Sequence, residues 1–366
     1  MTDTDIDYNA AWAALAAPQT EEAPAPRAAD LGHRLVQPLA DAADDFVRWC
    51  QAPQERVYTG MAELDAEMRG TAPGEMTMWL GFSHSGKTLA LTQALICNRN
   101  KRVLFFQPDE PRVLTLVKLA CAYHGVDARE LESRIASDDK EAKNLLRETA
   151  TIVFPKLIVI DKPLITANMD RGVREASEVW GYAPELVVVD FLELIEDIEM
   201  VPAKATWLKG FGRNHDVPMW VLHQLSRTKG ADGQVVGIDS GAYGGETQAT
   251  HLIGVRRKRS EILAKLKALR EKQQSEKTDE QIADLEYMLG IHEYTVSVNL
   301  VKNKRPGGDL LPEVDFELFK KTGQLKPLEK NEMPRQWRAI NQRTNRYIQH
   351  DRAAEEAARE WEQQEF

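Results

Sequence analysis

The most chemically specific stretch of the chain is residues 81–88, GFSHSGKT, a complete G-x-x-x-x-G-K-[ST] pattern. Glycines there (Gly81 and Gly86) let successive backbone N–H groups turn inward around phosphate oxygens, and a following helix adds its positive N-terminus. In such a loop Lys87 reaches the β and γ phosphates of a nucleoside triphosphate and the Thr88 hydroxyl binds Mg2+, with Ser83, His84 and Ser85 completing the cradle. A second carboxylate must hold the metal through water. Residues 186–190 read LVVVD, an apolar run ending in Asp190, the place for that group at the C-terminal edge of a parallel sheet. Hydrolysis also needs a group to orient water. The VLFF run leads into QPDEP, which offers Asp109 and Glu110, the longer reach favouring Glu110. Gln224, after MWVLH, stands where it would sense the γ-phosphate or couple it to the next loop.

These groups need strands to carry them. MTMWL reads as a strand before the phosphate loop and LALTQALI as a helix after it. With that strand at Met76–Leu80, further ones are expected at Val103–Phe106, Leu157–Ile160, Leu186–Val189 and Met219–Leu222. Continuous β-rich runs separated by helical stretches predict an α/β fold, a mostly parallel sheet covered on both faces. Residues 256–290 change to a charged helical stretch with Ile262, Leu266, Leu269, Ile282, Leu285 and Leu289 at helical spacing, and Gln274–Thr278 as a turn makes it a hairpin insertion. A strand at Tyr294–Val301, a turn at PGG and a strand around Glu313–Phe319 follow.

The flanks differ. Residues 1–37 form an acidic Ala/Pro-rich arm expected to be disordered. Within 38–55, Leu39, Ala42, Ala43, Phe46, Val47 and Cys50 fall on one helical face that needs a surface, either its own domain or a neighbouring subunit. Residues 329–366 read as a charged helical tail, leaving 56–328 as the main domain.

Composition excludes some classes. With 366 residues, 43% hydrophobic and 28% charged, the chain can build a core without staples. Its three cysteines make no disulfide framework and lack metal-ligand spacing, as expected of reduced thiols in the cytoplasm. Asp3, Asp5 and Asp7 occupy the place of a basic signal-peptide region, and no apolar run approaches the ~20 residues of a membrane span. The net charge of −10 is concentrated at the front: residues 1–55 hold ten acidic and three basic residues, so the remaining 311 carry −3. An acidic average therefore does not exclude a local basic channel.

Taken in order, these pieces resemble the RecA-like P-loop domain of DnaB-type replicative helicases. VYTGMAELDAEMRGTAPGEMTMWLG resembles the family's approach to the phosphate loop, VLFFQPDEP the strand bearing its catalytic acid, and LVVVDFLELI its Walker B segment. VPMWVLHQLSR resembles the strand ending in Gln-Leu-(Ser/Asn)-Arg, and VNLVKNKRPGG the late strand and β-hairpin finger. The resemblance spans roughly 56–320. It implies an ATP- and Mg2+-dependent, DNA-stimulated helicase that moves on single-stranded DNA as a homo-oligomeric ring, a hexamer, in DNA replication. The family's acid falls on Asp109, so Asp109 and Glu110 both stand as candidates. An acidic arm in place of the family's helical N-terminal domain implies a pared-down, phage-like form whose loader and primase partners are unknown.

By the same resemblance, Lys302 and Lys304, with Arg305 as an alternative to Lys304, would project into a neighbour's ATP site. The Gly-rich stretch 226–245, with Arg227, Lys229, Gly244 and Gly245, would line the DNA channel, following phosphates without reading sequence. Tyr243 is a stacking candidate, and Arg256, Arg257, Lys258 and Arg259 form a basic cluster that faces either DNA or solvent. A fold does not fix a function. A recombinase forming a nucleoprotein filament and a nucleotide-switched interaction protein remain the alternatives.

Overall fold

Nine strands form one sheet in the order β3-β2-β4-β5-β1-β6-β7-β8-β9. They are β1 Met76–Gly81, β2 Val103–Phe106, β3 Leu157–Ile160, β4 Leu186–Val189, β5 Met219–Gln224, β6 His251–Arg256, β7 Thr295–Asn303, β8 Leu311–Phe319 and β9 Gln324–Pro327. The computed structural model describes residues 39–225, 236–237, 244–271, 276–329 and 333–337. From β3 through β6 every pairing is parallel; β6 through β9 continue antiparallel. The expected mostly parallel sheet is present, with an antiparallel wing on one side. Neither β6 nor β9 was anticipated: HLIGVR runs straight into the basic cluster, and GQLKP is short and half polar.

Alternation along the strands sorts side chains into two cores. On one face Trp79, Phe105, Val188, Trp220, Leu222 and Ile253 pack under α2 (Ala62–Met68), α3 (Lys87–Cys97) and α4 (Arg112–His124). On the other, Met78, Leu104, Phe106, Val189, Met219 and Val221 meet α7 (Thr166–Trp180) and α8 (Val201–Asn214). Both faces being covered explains why these strands read as continuous apolar runs. Trp79 and Trp220 cross edge-to-face at 6.0 Å, a geometry worth about 0.5–1.5 kcal/mol beyond area burial. Between α4 and β3, Asp127 and Asp139 cap α5 (Ala128–Ala136) and α6 (Lys140–Glu148) by accepting from the first-turn amides.

The helical insertion is α9 (Lys258–Arg270) and α10 (Glu276–His292). The expected basic cluster is taken up largely by ion pairs within the chain. Arg256 ends β6 and pairs with Glu313 and Glu261; Lys258 pairs with Asp315 and Arg259 with Glu293. The basic residues anchor the hairpin to the β7–β8 wing, which supplies Glu313 and Asp315.

α1 (Leu39–Gln51) forms as its periodicity predicts, yet its apolar face is not covered by its own domain: Leu39, Phe46 and Val47 are 88%, 63% and 52% exposed. Its C-terminal end is fixed. Arg56 stacks on Trp49 at 3.7 Å and donates to the Trp49 carbonyl at 2.6 Å, while Arg305 covers the same ring at 4.4 Å. Cys50, Cys97 and Cys121 are free thiols, and among the described residues no helix is long and apolar enough to cross a membrane. The acidic arm and nearly all of the expected helical tail lie outside the described residues.

Candidate nucleotide site

The phosphate loop leaves the end of β1, which pairs with β5 in register so that Gly81 lies opposite Gln224. Gly81 has no room for a side chain: a Cβ there would sit 2.5 Å from the Val255 carbonyl. Gly86 has φ 101°, in the left-handed region, and begins α3 without any side-chain cap. No side chain caps the first amides of α3, and their partial positive charge suits an anion. Lys87 folds back over this loop and donates to the Gly81 and Phe82 carbonyls at 2.7 and 2.9 Å. A phosphate placed here would exchange those neutral acceptors for charged ones, which are roughly twice as strong. Ser85 is buried with its hydroxyl unpaired, Ser83 is half-buried and His84 exposed at φ 62°. Thr88 sits in the first turn of α3.

Strand alternation brings the remaining groups to the same side. Asp190 follows Val188 by two residues and so faces the α3 side of the sheet, as does Gln224 two after Leu222. The Asp190 backbone N–H donates to the Phe106 carbonyl at 2.9 Å, which fixes it beside the end of β2. Burial above all, with Asp109 and Glu110 adding to it and Lys87 and Lys118 opposing it, pushes the Asp190 carboxyl up to about 6. A buried carboxylate beside two others, with a lysine and a helix N-terminus opposite, is electrostatically short of positive charge. One carboxylate and one hydroxyl are hard oxygen donors that suit Mg2+, which keeps water and phosphate as its other ligands. Asp190 and Thr88 therefore fit the ion in the company of a nucleotide. Among the described residues no cluster of three or more His, Cys, Asp or Glu forms a separate metal site.

The two acidic candidates differ in their surroundings. Glu110 forms a salt bridge with Lys118 and accepts from Gln107 Nε2 at 3.2 Å, while Gln107 in turn accepts from Thr115. Asp109 is exposed. The amide of Gln224 donates to Ser83 Oγ at 2.5 Å, tying β5 to the phosphate loop.

The structure does not bring the basic residues of the late strand to this site within one chain. Lys302 donates to the carbonyls of Glu246 and Thr247 at 3.1 and 3.0 Å, and Lys304 approaches the Thr247 carbonyl at 3.4 Å. Burial, Lys304 and Lys209 together lower Lys302 to about 8. Arg305 is engaged inside its own domain, with Glu75 at 2.7 Å, the Gly70 and Met68 carbonyls at 3.1 and 3.3 Å, and Trp49. Arg227, Lys229 and Tyr243 lie outside the described residues. Gly244 is exposed, and Gly245 is buried against Val201 and Ala205 of α8.

Three residues escaped the sequence reading. Glu193, His223 and Glu246 meet beneath the end of β5, on the sheet face opposite Gln224. A histidine next to Gln224 and a glutamate three residues after Asp190 were the available signals, but nothing in the sequence pairs them.

A parallel sheet with a glycine-rich loop and lysine at the end of one strand, and a carboxylate at the end of another, defines a RecA-like P-loop ATPase fold. Residues 56–233 match the family model described as the DnaB-like helicase C-terminal domain. Among solved structures, a DnaB-like replicative helicase, determined with its interactions with primase, aligns with a TM-score of 0.59 at 16% identity, over 80% of this chain and 68% of that one. A second solved structure, an isolated ATPase domain, aligns with a TM-score of 0.59 at 15% identity, over 80% of this chain and all of that one. At such identities these neighbours establish the fold alone. No curated protein sequence matches the chain. The family match ends before Lys302, Lys304 and Arg305.

Proposed function

We propose that this protein is an ATP-hydrolysing DNA helicase of the DnaB type, translocating on single-stranded DNA as a ring of identical subunits, a hexamer, in replication. The observation that carries the reading is the joined site: Lys87, Asp190 and Gln224 reach one side of the sheet from three strand ends, inside a region that matches the helicase family. Mg2+ held through Thr88 and Asp190 would neutralise phosphate charge as the terminal phosphoryl group transfers. Lys87 binds the β and γ phosphates, and the α3 amides hold the chain of phosphates in place. Ser83 and Gln224 register whether the γ-phosphate is present. Asp109 is the water-orienting carboxylate of this proposal, because Glu110 is already engaged by Lys118 and Gln107.

The uncovered face of α1 supports a ring, since a stripe containing Leu39, Phe46 and Val47 on a fixed helix suits a second copy. Lys302 and Lys304 are the cations proposed to reach the neighbouring nucleotide, with Arg305 serving as the base of their turn. Arg227, Lys229 and the Gly244–Gly245 segment are assigned to the DNA phosphates. The test is the ATPase rate with and without single-stranded DNA, and forked-duplex unwinding, beside Lys87→Ala. Stimulation and unwinding that vanish in Lys87→Ala support the reading; DNA-indifferent hydrolysis without unwinding overturns it.

A further inference from the structure

The face of β5 turned away from the nucleotide holds a second polar centre. His223 is fully buried, with Nδ1 at 2.5 Å from Glu193 Oε1 and Nε2 at 3.4 Å from Glu246 Oε1. Glu193 Oε1 also accepts the backbone N–H of Gln224 at 3.0 Å. One carboxylate oxygen therefore fixes both the imidazole and the peptide unit of the residue that touches Ser83. The three groups come from separate parts of the chain: Glu193 from the turn after β4 and Asp190, His223 from β5, and Glu246 from the turn that precedes β6. The backbone around them is held as well. Lys204 donates to the Glu193 carbonyl at 2.7 Å, and Lys302 to the Glu246 carbonyl at 3.1 Å.

A buried glutamate, a half-buried one and a buried histidine are a costly way to fill a core; a hydrophobic trio of the same volume is often at least as stable. Such groups are worth retaining when they fix a specific arrangement. Here the histidine carries the charge. Burial opposes it, but the hydrogen bond to Glu193 and the charges of Glu193 and Glu246 prevail and raise His223 to about 9, so near pH 7 it is an imidazolium between two carboxylates. Both neighbouring elements have a part in the helicase reading. Gln224 and its amide report the phosphate loop, and Glu246 directly follows the 226–245 stretch assigned to DNA, with Lys302 on its carbonyl.

We propose that the Glu193–His223–Glu246 clamp is a positioning device that links Gln224 at the phosphate loop to the Gly244–Thr250 segment and Lys302. The link rests on the helicase reading for its purpose, but its mechanical content stands by itself. A shift of Gln224 toward or away from a γ-phosphate displaces the peptide that Glu193 holds, and the imidazolium passes that displacement to Glu246. Because the clamp lies on the opposite face of β5, it touches no nucleotide and acts through Gln224.

The test is amide exchange of a peptide covering 244–250 in the full chain, with and without a non-hydrolysable ATP analogue and Mg2+. It is read in wild type, His223→Gln and Glu246→Gln. In the wild type the analogue changes exchange in this segment; both variants lose that response while still binding the analogue. Where His223→Gln fails to fold, Glu246→Gln decides, since it keeps the His223–Glu193 pair and the hold on the Gln224 amide. A wild type without a response, or a folded variant that retains it, overturns the clamp. The same variants should lower the DNA-stimulated kcat by about fivefold or more, the scale of a typical inter-site coupling, with KM for ATP moving far less. If the wild-type ATPase ignores DNA, the helicase reading fails while the exchange result still decides the clamp.

Discussion

Gln224 Nε2 donates to Ser83 Oγ at 2.5 Å across the in-register pair of β5 and β1, so the end of one strand is bonded to the phosphate loop of the next. A γ-phosphate arriving in the loop competes for this amide. Gln224→Ala should therefore lower kcat by on the order of 100-fold, the range of lost proton-transfer or water-orienting groups, while ATP affinity changes by a few-fold. Ser83→Ala, which removes the partner but leaves the amide to reach phosphate, should have a smaller effect. Steady-state kinetics with a direct nucleotide-binding titration separates the two. Equal losses in both variants would make the contact structural.

Asp109 and Glu110 are adjacent but not equivalent. The Lys118 ammonium and Gln107 amide occupy Glu110, whereas Asp109 is exposed at the mouth of the site beside Asp190. Asp109→Asn should reduce kcat by about 100-fold or more with KM little changed. Glu110→Gln should cost less activity, with at most about 1 kcal/mol of stability because the pair is partly solvent-exposed. The reverse order of kinetic losses would assign the water-orienting role to Glu110.

Much of this architecture was legible because its strands are buried on both faces. VLFF, LVVV and MWVL have little choice but the middle of a parallel sheet, and the phosphate loop dictates its own flanking strand and helix. Asp190 and Gln224 could be assigned a common side from parity alone. What remained hidden depends on distant pairs. Whether Glu110 is engaged depends on Lys118, a loop and a helix turn away; whether Arg305 is exposed depends on Trp49 and Glu75, far earlier in the chain. The basic run 256–259 could be read only as facing DNA or solvent, because the acids that neutralise it lie on α9, on β8 and just past α10.

Arg305 and Lys304 are neighbours whose substitutions should separate cleanly. The Arg305 guanidinium bonds Glu75 and two carbonyls and covers Trp49, so Arg305→Ala strands a half-buried carboxylate and loosens the end of α1. A loss on the order of 3 kcal/mol is expected, seen as a lower denaturation midpoint in every oligomeric state. Lys304→Ala should leave that midpoint within experimental error and reduce ATPase activity of the assembled protein. Mixing Lys304→Ala subunits with Asp190→Asn subunits provides the check. A cation supplied in trans predicts that mixed assemblies recover some activity, because an intact lysine then faces an intact nucleotide site. Mixtures no better than the parents would place Lys304 outside the neighbour's site.

The clamp under β5 also predicts how stability changes with pH. His223 is raised from 6.5 to about 9 in the folded chain, although burial alone would lower it, because Glu193 and Glu246 flank the ring; Lys204 and Lys302 approach only the carbonyls of those glutamates. The folded state thus binds a proton that the unfolded state has released between these values. Stability from this source is fully present below pH 6.5 and is lost as pH rises through about 9. Its size is on the order of a few kcal/mol, since each tenfold gain in proton affinity corresponds to about 1.4 kcal/mol. Chemical denaturation at pH 6.5, 8 and 9.5 should show the decline in wild type. A variant with Glu193→Gln, His223→Gln and Glu246→Gln together has no charge to lose there, and its stability should be flatter over the same interval. Parallel curves for the two proteins would mean that His223 is neutral in the folded state, and the clamp would then be a hydrogen-bonded contact without an imidazolium.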